Sequence, residues 1–359
     1  MNSSSRAFAV GLGVVAFGMF LAVLWFDATV LDLGILEEDT EPEWTAPYLL
    51  RAAVLATAAI LGFLALVRRP ALPRYGTDSE PTWWARALVW TATTIVAGFV
   101  LVFLADAELF YELSLEDRSV ETFSAILAIG ASLFSFSLAY YLARSDWRSH
   151  RWTVAGAVVL SIVCLLIGVE EISWGQRILD LDTPERILQL SERDEINVHN
   201  MATAFFEISY YFGLFLFFIA APLLHERTRL FDRASLALFV PTWTSALVVA
   251  PAFGFNYVFW NLAFTQVAFW FTLCFLVWHL MRLSRLPNSG ACFATAGTLA
   301  VFLFAQIAFL VHGDNFVRPW DATEYKELIL PLGLVVYALV LNLRLRGLGG
   351  LVSACPGQQ

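Results

Sequence analysis

Two adjacent carboxylates, Glu170 and Glu171, end an apolar run that includes residues 159–169. Carboxylates at membrane depth are costly and usually have a task, so this pair is a candidate for chemistry. If the helix continues, Glu170 shares a face with Trp174 and Arg177, and Glu171 points about 100° away. One glutamate could then pair with Arg177, while the other acts as a general base or carries a proton. Alternatively, both are simply hydrated among the lipid head groups.

A third carboxylate, Glu207, lies about two turns inside a run of Phe, Tyr and Ile. It shares a helical face with Asn200 and Thr203 and is the deepest carboxylate in any predicted span. It should therefore face the bundle and find a polar partner, which we expect from the end of the helix that carries Glu171. His199, just before this run, could bind a metal or carry a proton, or could be a surface histidine near a helix start.

A second histidine, His312, lies two residues before Asp314 at the end of a later apolar run. Histidine with carboxylates suits zinc or manganese, so His199, His312 and Asp314 are the candidate metal ligands, although the HExxH spacing is absent. A divalent metal is the cofactor that these residues could hold. Glu324 and Glu327 open the next run, where the helix dipole favours negative charge, so their position has a structural explanation.

These polar groups all belong to one side of the predicted bundle. Together they could build a single outward-facing acidic pocket, with Arg177 binding an anionic head group. The pocket would bring together the outer ends of three spans, because grouping lets polar partners neutralise charges that are costly in lipid. Its candidate members are Glu121, Glu170, Glu171, His199, Glu207, His312, Asp314, Glu324 and Glu327.

The elements that position these groups are transmembrane helices. The chain of 359 residues is 59% hydrophobic and 15% charged, with a mean hydropathy of +0.68, so it cannot cover a soluble protein with polar surface. Runs of about 20 apolar residues cross the hydrocarbon core as helices, because lipid offers backbone polar groups no partner. We predict an all-α bundle of about ten spans. The spans are 7–26, 47–67, 86–105, 121–142, 152–171, 201–224, 234–252, 256–280, 291–311 and 328–343.

The basic residues predict the orientation of this bundle. Fifteen arginines fall in the segments on one side of the spans, and only six basic residues fall on the other. Since positively charged loops stay inside, both termini should lie in the cytoplasm and the acidic groups on the outer side of the inner membrane. No flexible linker divides the chain, so residues 1–359 should form one membrane domain.

Two acidic strings favour an internal duplication. The string at residues 38–43 follows the first span, and one with the same spacing at 116–121 follows the third. The pattern predicts duplicated helix hairpins at 7–67 and 86–142, although so few matched positions could also arise by chance.

Three short strings carry a resemblance to a known class of proteins. The strings are EEISWGQR at 170–177, TPE at 183–185 and NVHN at 197–200. Together they resemble a family of multi-pass bacterial membrane proteins. The resemblance covers most of the chain and implies no reaction. Thr183 and Pro184 also predict the start of a short amphipathic helix, which could be a lid or a connector.

Three functions fit these residues. The first is a hydrolase or transferase acting on a lipid or lipid-linked substrate, with Glu170 or Glu171 as general base or metal ligand. The second is a proton- or cation-coupled transporter using Glu207 and the glutamate pair, although clear inverted repeats and paired broken helices are absent. The third is a membrane assembly protein without chemistry. The expected partners are membrane lipid and a small-molecule or lipid substrate, not nucleic acid, since no basic stripe occurs.

Overall fold

The computed structural model describes residues 3–31, 34, 41–71, 83–115, 118–176, 179, 183, 203–231, 234–285 and 289–346. Every regular element within these ranges is helical. Eight of the helices described are long and apolar enough to cross a membrane, so the chain is a multi-pass helical membrane protein. The α-helices are α1 Ser3–Phe26, α2 Ala46–Val67, α3 Trp83–Ala105, α4 Ala107–Ser114, α5 Ser119–Glu171, α6 Thr203–Phe215, α7 Ala221–Arg227, α8 Ala234–Leu238, α9 Trp243–Val249, α10 Ala263–Leu283, α11 Ser289–Val311 and α12 Asp321–Leu345.

α5 is a helical hairpin rather than one straight rod. Its 53 residues would extend about 80 Å as a single helix, far beyond the thickness of a bilayer. Asp146 interrupts it with φ −160° and ψ 95°, and the chain folds back there. The two halves pack antiparallel, since Ser132 Oγ lies 3.0 Å from Ser161 Oγ. Further along, a Cβ on Gly168 would lie 3.1 Å from the carbonyl oxygen of Ala125, so the small residue permits the close approach.

α12 is the most central of the long helices. The apolar run predicts a span over 328–343, but the helix begins at Asp321 and therefore carries Glu327 into the bundle. It runs parallel to the first half of α5, where Asn342 donates from Nδ2 to the carbonyl oxygen of Phe134 at 2.8 Å. The early start of α12 is what places its charged first turns among the other helices.

The backbone between α9 and α10 is irregular although it is buried. A 3-10 turn at Ala250–Gly254 continues α9, and a second covers Val258–Asn261. Gly254 packs so closely on the carbonyl oxygen of Phe302 that a Cβ would lie 2.6 Å away. Irregular backbone at membrane depth is tolerated only inside protein or beside a cavity. The next span accordingly begins at Ala263 and not at residue 256, as the apolar run suggests.

Exposed tryptophans mark the two ends of the bundle. Trp152 and Trp174, which flank the second half of α5, are 68% and 47% exposed. Between them, the 20 helical residues from Trp152 to Glu171 cover about 30 Å, close to the hydrocarbon thickness of a bilayer. Large apolar side chains between them, such as Val159, face outward and contact lipid. We call the end where α5 terminates the carboxylate end and the other the opposite end.

The predicted duplication of 7–67 and 86–142 stays a prediction. Parts of both acidic strings, at 38–40 and 116–117, lie outside the described residues.

Candidate functional site

The glutamate pair lies where α5 ends, and the chain turns sharply after it. Ser173, Trp174 and Gly175 all have left-handed backbone, with φ of 46°, 56° and 76°. Residues other than glycine rarely adopt this conformation, so the helix ends at Glu171 and the continuous face assumed from the sequence does not form. Trp174 nevertheless reaches Glu170 and donates from Nε1 to its Oε1 at 2.7 Å.

Glu171 faces other carboxyl groups. It interacts electrostatically with Glu327 above all, and also with Glu121 and Glu324. The hydroxyl of Ser124 lies within hydrogen-bonding reach of its carboxyl group. These neighbours come from the first turns of α5 and α12. The two members of the pair therefore have different surroundings, an indole for one and carboxyl groups for the other.

A proline inside α12 helps to explain how α5 is attached to α12 beside these carboxyl groups. Pro331 has no N–H, so the carbonyl oxygen of Glu327, four residues earlier, loses its helical donor. Ser124 supplies the missing donor from Oγ at 3.0 Å. Because an unsatisfied carbonyl is costly in lipid, the proline and the serine together fix α5 against α12 beside the carboxyl groups.

The side chain of Glu327 accepts a hydrogen bond from a tyrosine of α6. Tyr211 donates its hydroxyl to Oε1 at 2.5 Å, a length typical of a hydroxyl bound to a carboxylate. The hydroxyl of Tyr210 is also buried and has no hydrogen-bond partner among the described residues. Its charged neighbours are Glu171 and Glu327. Two tyrosine hydroxyls therefore border the carboxyl groups, and one of them is an unused donor in this part of the chain.

Lys326 is the only lysine of the chain and is 2% exposed. Its Nζ donates to Oδ1 of Asn256. It also lies 4.8 Å from the ring centroid of Tyr211 and 5.7 Å from that of Phe259. The carboxyl group of Glu327 is a charged neighbour. An amide oxygen, two aromatic rings and a carboxyl group are all contacts that stabilise a cation.

The orientation of Asn256 is determined by its other hydrogen bonds. Its Nδ2 donates to the carbonyl oxygen of Phe253 and to Oε1 of Gln306, each at 2.9 Å. Gln306 in turn donates from Nε2 to the backbone carbonyl of Asn256 at 2.8 Å. Since both N–H groups of the amide are used, its oxygen must face Lys326. The irregular backbone after α9 thus supplies an acceptor for the ammonium group.

Glu207 borders the same group from α6. Tyr211 and Lys326 both interact electrostatically with it. The sequence prediction took its partner from the end of α5, whereas these neighbours lie on α6 and α12. Glu171 and Glu207 are therefore both linked electrostatically to residues around Glu327.

A small cavity lies beside Lys326. It has about 20 Å³ of space, enough for one water molecule. Its polar wall consists of Tyr211, Asn256, Thr265 and Lys326. The apolar wall is formed by Ile208, Phe212, Phe253, Phe264 and Ala268.

His312 and Asp314 lie on an exposed turn after α11. Gly313 between them packs on the ring of Tyr257, where a Cβ would lie 1.9 Å from Cε2. Burial, followed by the negative charges of Glu41 and Asp314, raises the pKa of Tyr257. The turn thus belongs to the rim of the carboxylate end, in contrast to the partly or fully buried groups around Glu327.

The predicted metal site is incomplete in the described ranges. Within them, no three His, Cys, Asp or Glu side chains come together as ligands of a metal ion. His199, the third proposed ligand, and Arg177, the proposed head-group contact, both lie outside the described residues. The metal site therefore stays a prediction.

Sequence reasoning missed the tyrosines of α6 and the amide pair of Asn256 and Gln306. The signal for the amides was present, since each interrupts a stretch of apolar residues. The tyrosines carried no such signal, because aromatic residues are common throughout the chain.

The groups gathered at the carboxylate end can bind a cation and exchange protons. They comprise carboxyl groups, tyrosine hydroxyls, one ammonium group and one oriented amide. The chain matches no protein-family model, no curated protein and no solved structure.

Proposed function

We propose that the chain is a multi-pass carrier that exchanges protons for a cation across the inner membrane. Glu171, Glu207, Glu327 and Lys326 are its ion-handling groups. The observation that carries this proposal is the gathering of ionisable side chains from α5, α6 and α12 at one place inside the bundle. Ionisable residues inside a membrane are costly and commonly mark an ion pathway or a proton relay.

The charge balance of this group favours a positive ligand. In the described part of the chain, the carboxyl groups of Glu207 and Glu327 lie beside the ammonium group of Lys326, and the carboxyl group of Glu171 lies beside that of Glu327. When all are ionised, the group carries an excess of negative charge, which draws either protons or a cation in a medium of low dielectric constant. Binding of one weakens binding of the other, and this mutual exclusion is the coupling that an exchanger needs.

The interrupted helix after α9 supports a carrier as well. Broken helices at membrane depth commonly form the ion and substrate sites of transporters, because their freed backbone and side chains line a cavity. Here the irregular segment contributes Phe253 and Asn256 to the cavity beside Lys326.

The proposal includes ten crossings with both termini in the cytoplasm. α5 counts twice because it folds back at Asp146, and the short helix Trp243–Gly254 supplies the tenth crossing. The excess of arginine at the opposite end supports the orientation. A reporter fused after Gln359 should be active only in the cytoplasm, and activity on the outer side would reject the orientation.

A hydrolase or transferase acting on a lipid remains the second hypothesis. It is favoured by the hydroxyl of Ser124 beside the carboxyl group of Glu171 at the membrane edge, an arrangement suited to proton transfer. Metal analysis of the purified protein separates the two hypotheses. Stoichiometric zinc or manganese that is lost in a His199→Ala variant would favour the enzyme.

The adjacent glutamates offer a matched pair of variants for testing the exchanger. Purified protein is reconstituted into liposomes with an acidic interior, and Na⁺, K⁺, tetramethylammonium or choline is added outside. We expect at least one of these cations to discharge the pH gradient. Glu171→Gln should abolish the discharge, because it removes a carboxyl group from the buried group. Glu170→Gln should preserve it, because this residue binds Trp174 instead.

Two results would reject the exchanger. One is that no cation of the set discharges the gradient with the wild-type protein. The other is that the Glu170→Gln and Glu171→Gln variants behave alike.

A further inference from the structure

Lys326 differs in residue type from every other basic residue of the chain. Of the 22 lysine and arginine residues, it is the only lysine. The chain builds a fully buried ion pair with arginine elsewhere, as Arg51 and Asp27 show with a 2.5 Å contact between Nε and Oδ1. A guanidinium group is planar and keeps its charge, whereas an ammonium group is a compact point charge that can also release its proton. The site around Lys326 therefore uses a property that arginine lacks.

The surroundings of Nζ define what kind of ligand the position accepts. The rings of Tyr211 and Phe259 lie 4.8 and 5.7 Å away and are both buried. Aromatic faces at this range attract ammonium groups, whereas small metal ions prefer a shell of oxygen ligands. The Asn256 oxygen accepts one N–H bond, and the carboxyl groups of Glu207 and Glu327 supply negative charge. This combination suits an ammonium-type cation.

The adjoining cavity provides space for a second occupant. It contacts Lys326 directly and is bordered by Tyr211 and Asn256, the same residues that contact Nζ. A cation that enters this cavity meets the contacts of the lysine and can compete for them.

We propose that the pocket around Nζ of Lys326 is a binding site for an ammonium-type cation, and that the lysine occupies it as a tethered ligand until a free cation replaces it. The role of this replacement in transport rests on the proposed exchanger. The binding step is independent of transport and can be measured in detergent.

Truncation of the lysine removes the tethered ligand, so that a free ligand of the same shape can be added in its place. Lys326→Ala removes Cγ, Cδ, Cε and Nζ, and these four atoms correspond to n-propylammonium. Addition of n-propylammonium chloride to the purified variant should raise its Tm by about 2 °C or more, because a ligand that binds only the folded state stabilises it. The Tm of the wild type should rise less than that of the variant, because n-propylammonium must first displace the tethered lysine. Propan-1-ol, which has the same shape without the charge, should leave the variant unaffected.

A second variant covers the case in which Lys326→Ala does not fold. Lys326→Met keeps most of the apolar stem and removes the ammonium group. NH₄⁺ can then occupy the vacated ammonium position and should stabilise this variant. Arg282→Ala, which truncates a partly buried cation at the opposite end, serves as the control and should respond to neither ammonium compound.

Three outcomes would reject the proposed cation-binding site. They are an absence of stabilisation in both lysine variants, an equal response to propan-1-ol, and an equal response of Arg282→Ala. If the site fails while cation exchange in liposomes succeeds, the exchanger stands without a tethered ligand. If cation binding succeeds while exchange fails, the site stands and the carrier is rejected.

Discussion

Two clusters of charged side chains, each with a buried member, lie at the two ends of the bundle and are built on different principles. At the opposite end Glu226 is 3% exposed, and each of its oxygens meets one guanidinium group. Oε1 lies 2.9 Å from Nη2 of Arg227, and Oε2 lies 2.8 Å from Nη1 of Arg282. Arg227 also donates to the carbonyl oxygen of Arg69 at 2.7 Å, which ties α7 to the end of α2. This cluster has more positive than negative charge, and both carboxylate oxygens are paired.

Within the described residues, the cluster at the carboxylate end has the reverse balance. Its ammonium group, on Lys326, lies beside the carboxyl groups of Glu207 and Glu327, and a cavity adjoins it. A cluster with a partner for every oxygen resists change and holds helices together. A cluster with excess charge beside a cavity can take up and release ions. If the proposed exchanger is correct, Glu226 braces the bundle and Glu327 takes part in ion exchange.

The largest contrast between the clusters should appear in transport. Glu327→Gln removes one ionisable group but keeps an amide oxygen that can accept the Tyr211 hydroxyl. Ion exchange in liposomes should fall to the level of empty vesicles, while the unfolding midpoint in detergent changes little. Retained exchange in this variant would end the distinction between the two clusters.

Glu226→Ala should produce the converse result. Removing one partner of a buried ion pair leaves uncompensated charge and typically costs about 3–5 kcal/mol. We expect a loss of unfolding free energy of this size, with exchange retained per folded molecule. The exposed Arg285→Ala provides the control and should stay within about 0.5 kcal/mol of the wild type. Equal stability of the two variants would contradict a bracing role for Glu226.

A double-mutant cycle sharpens the description of the carboxylate end. Ser124→Ala should cost about 1–3 kcal/mol, because the carbonyl oxygen of Glu327 then lacks a donor. Pro331→Ala restores a backbone N–H that can bond the same carbonyl. Ser124→Ala should therefore cost at least about 0.5 kcal/mol less in the Pro331→Ala background. Additive effects on the unfolding free energy would show that the serine and the proline act separately.

The smallest effect is expected at the first glutamate of the pair. Trp174→Phe removes the donor to Glu170 while keeping an aromatic ring at the membrane edge. Because both groups are accessible to water, the change should cost less than about 1 kcal/mol and leave ion exchange intact. A loss of exchange would show that Glu170 belongs to the ion-handling group after all.

Much of the helix content followed from the apolar runs, because a span must be long and hydrophobic whatever its neighbours are. The inference that Glu207 needs a polar neighbour rested on the same physics and agrees with the contacts of Tyr211 and Lys326. The identity of those neighbours could not be predicted, since it depends on how α6 and α12 pack.

Local backbone breaks were only partly accessible to sequence reasoning. Pro251 and Gly254 favour an irregular backbone in the segment Ala250–Gly254, although its other residues are as apolar as the helices beside it. Ser173 and Trp174 are left-handed although neither is glycine, so only Gly175 after them marks the end of α5 by its residue type. Both breaks shape the site.

The single lysine has a practical consequence for following this protein in solution. Apart from the α-amino group, Lys326 carries the only primary amine of the chain, and it is buried. Reductive methylation with ¹³C-formaldehyde therefore places one isotopic reporter inside the protein, and only in molecules whose interior has opened. The rate of labelling measures that opening, and the chemical shift of the two methyl groups then reports what surrounds them, without any engineered probe.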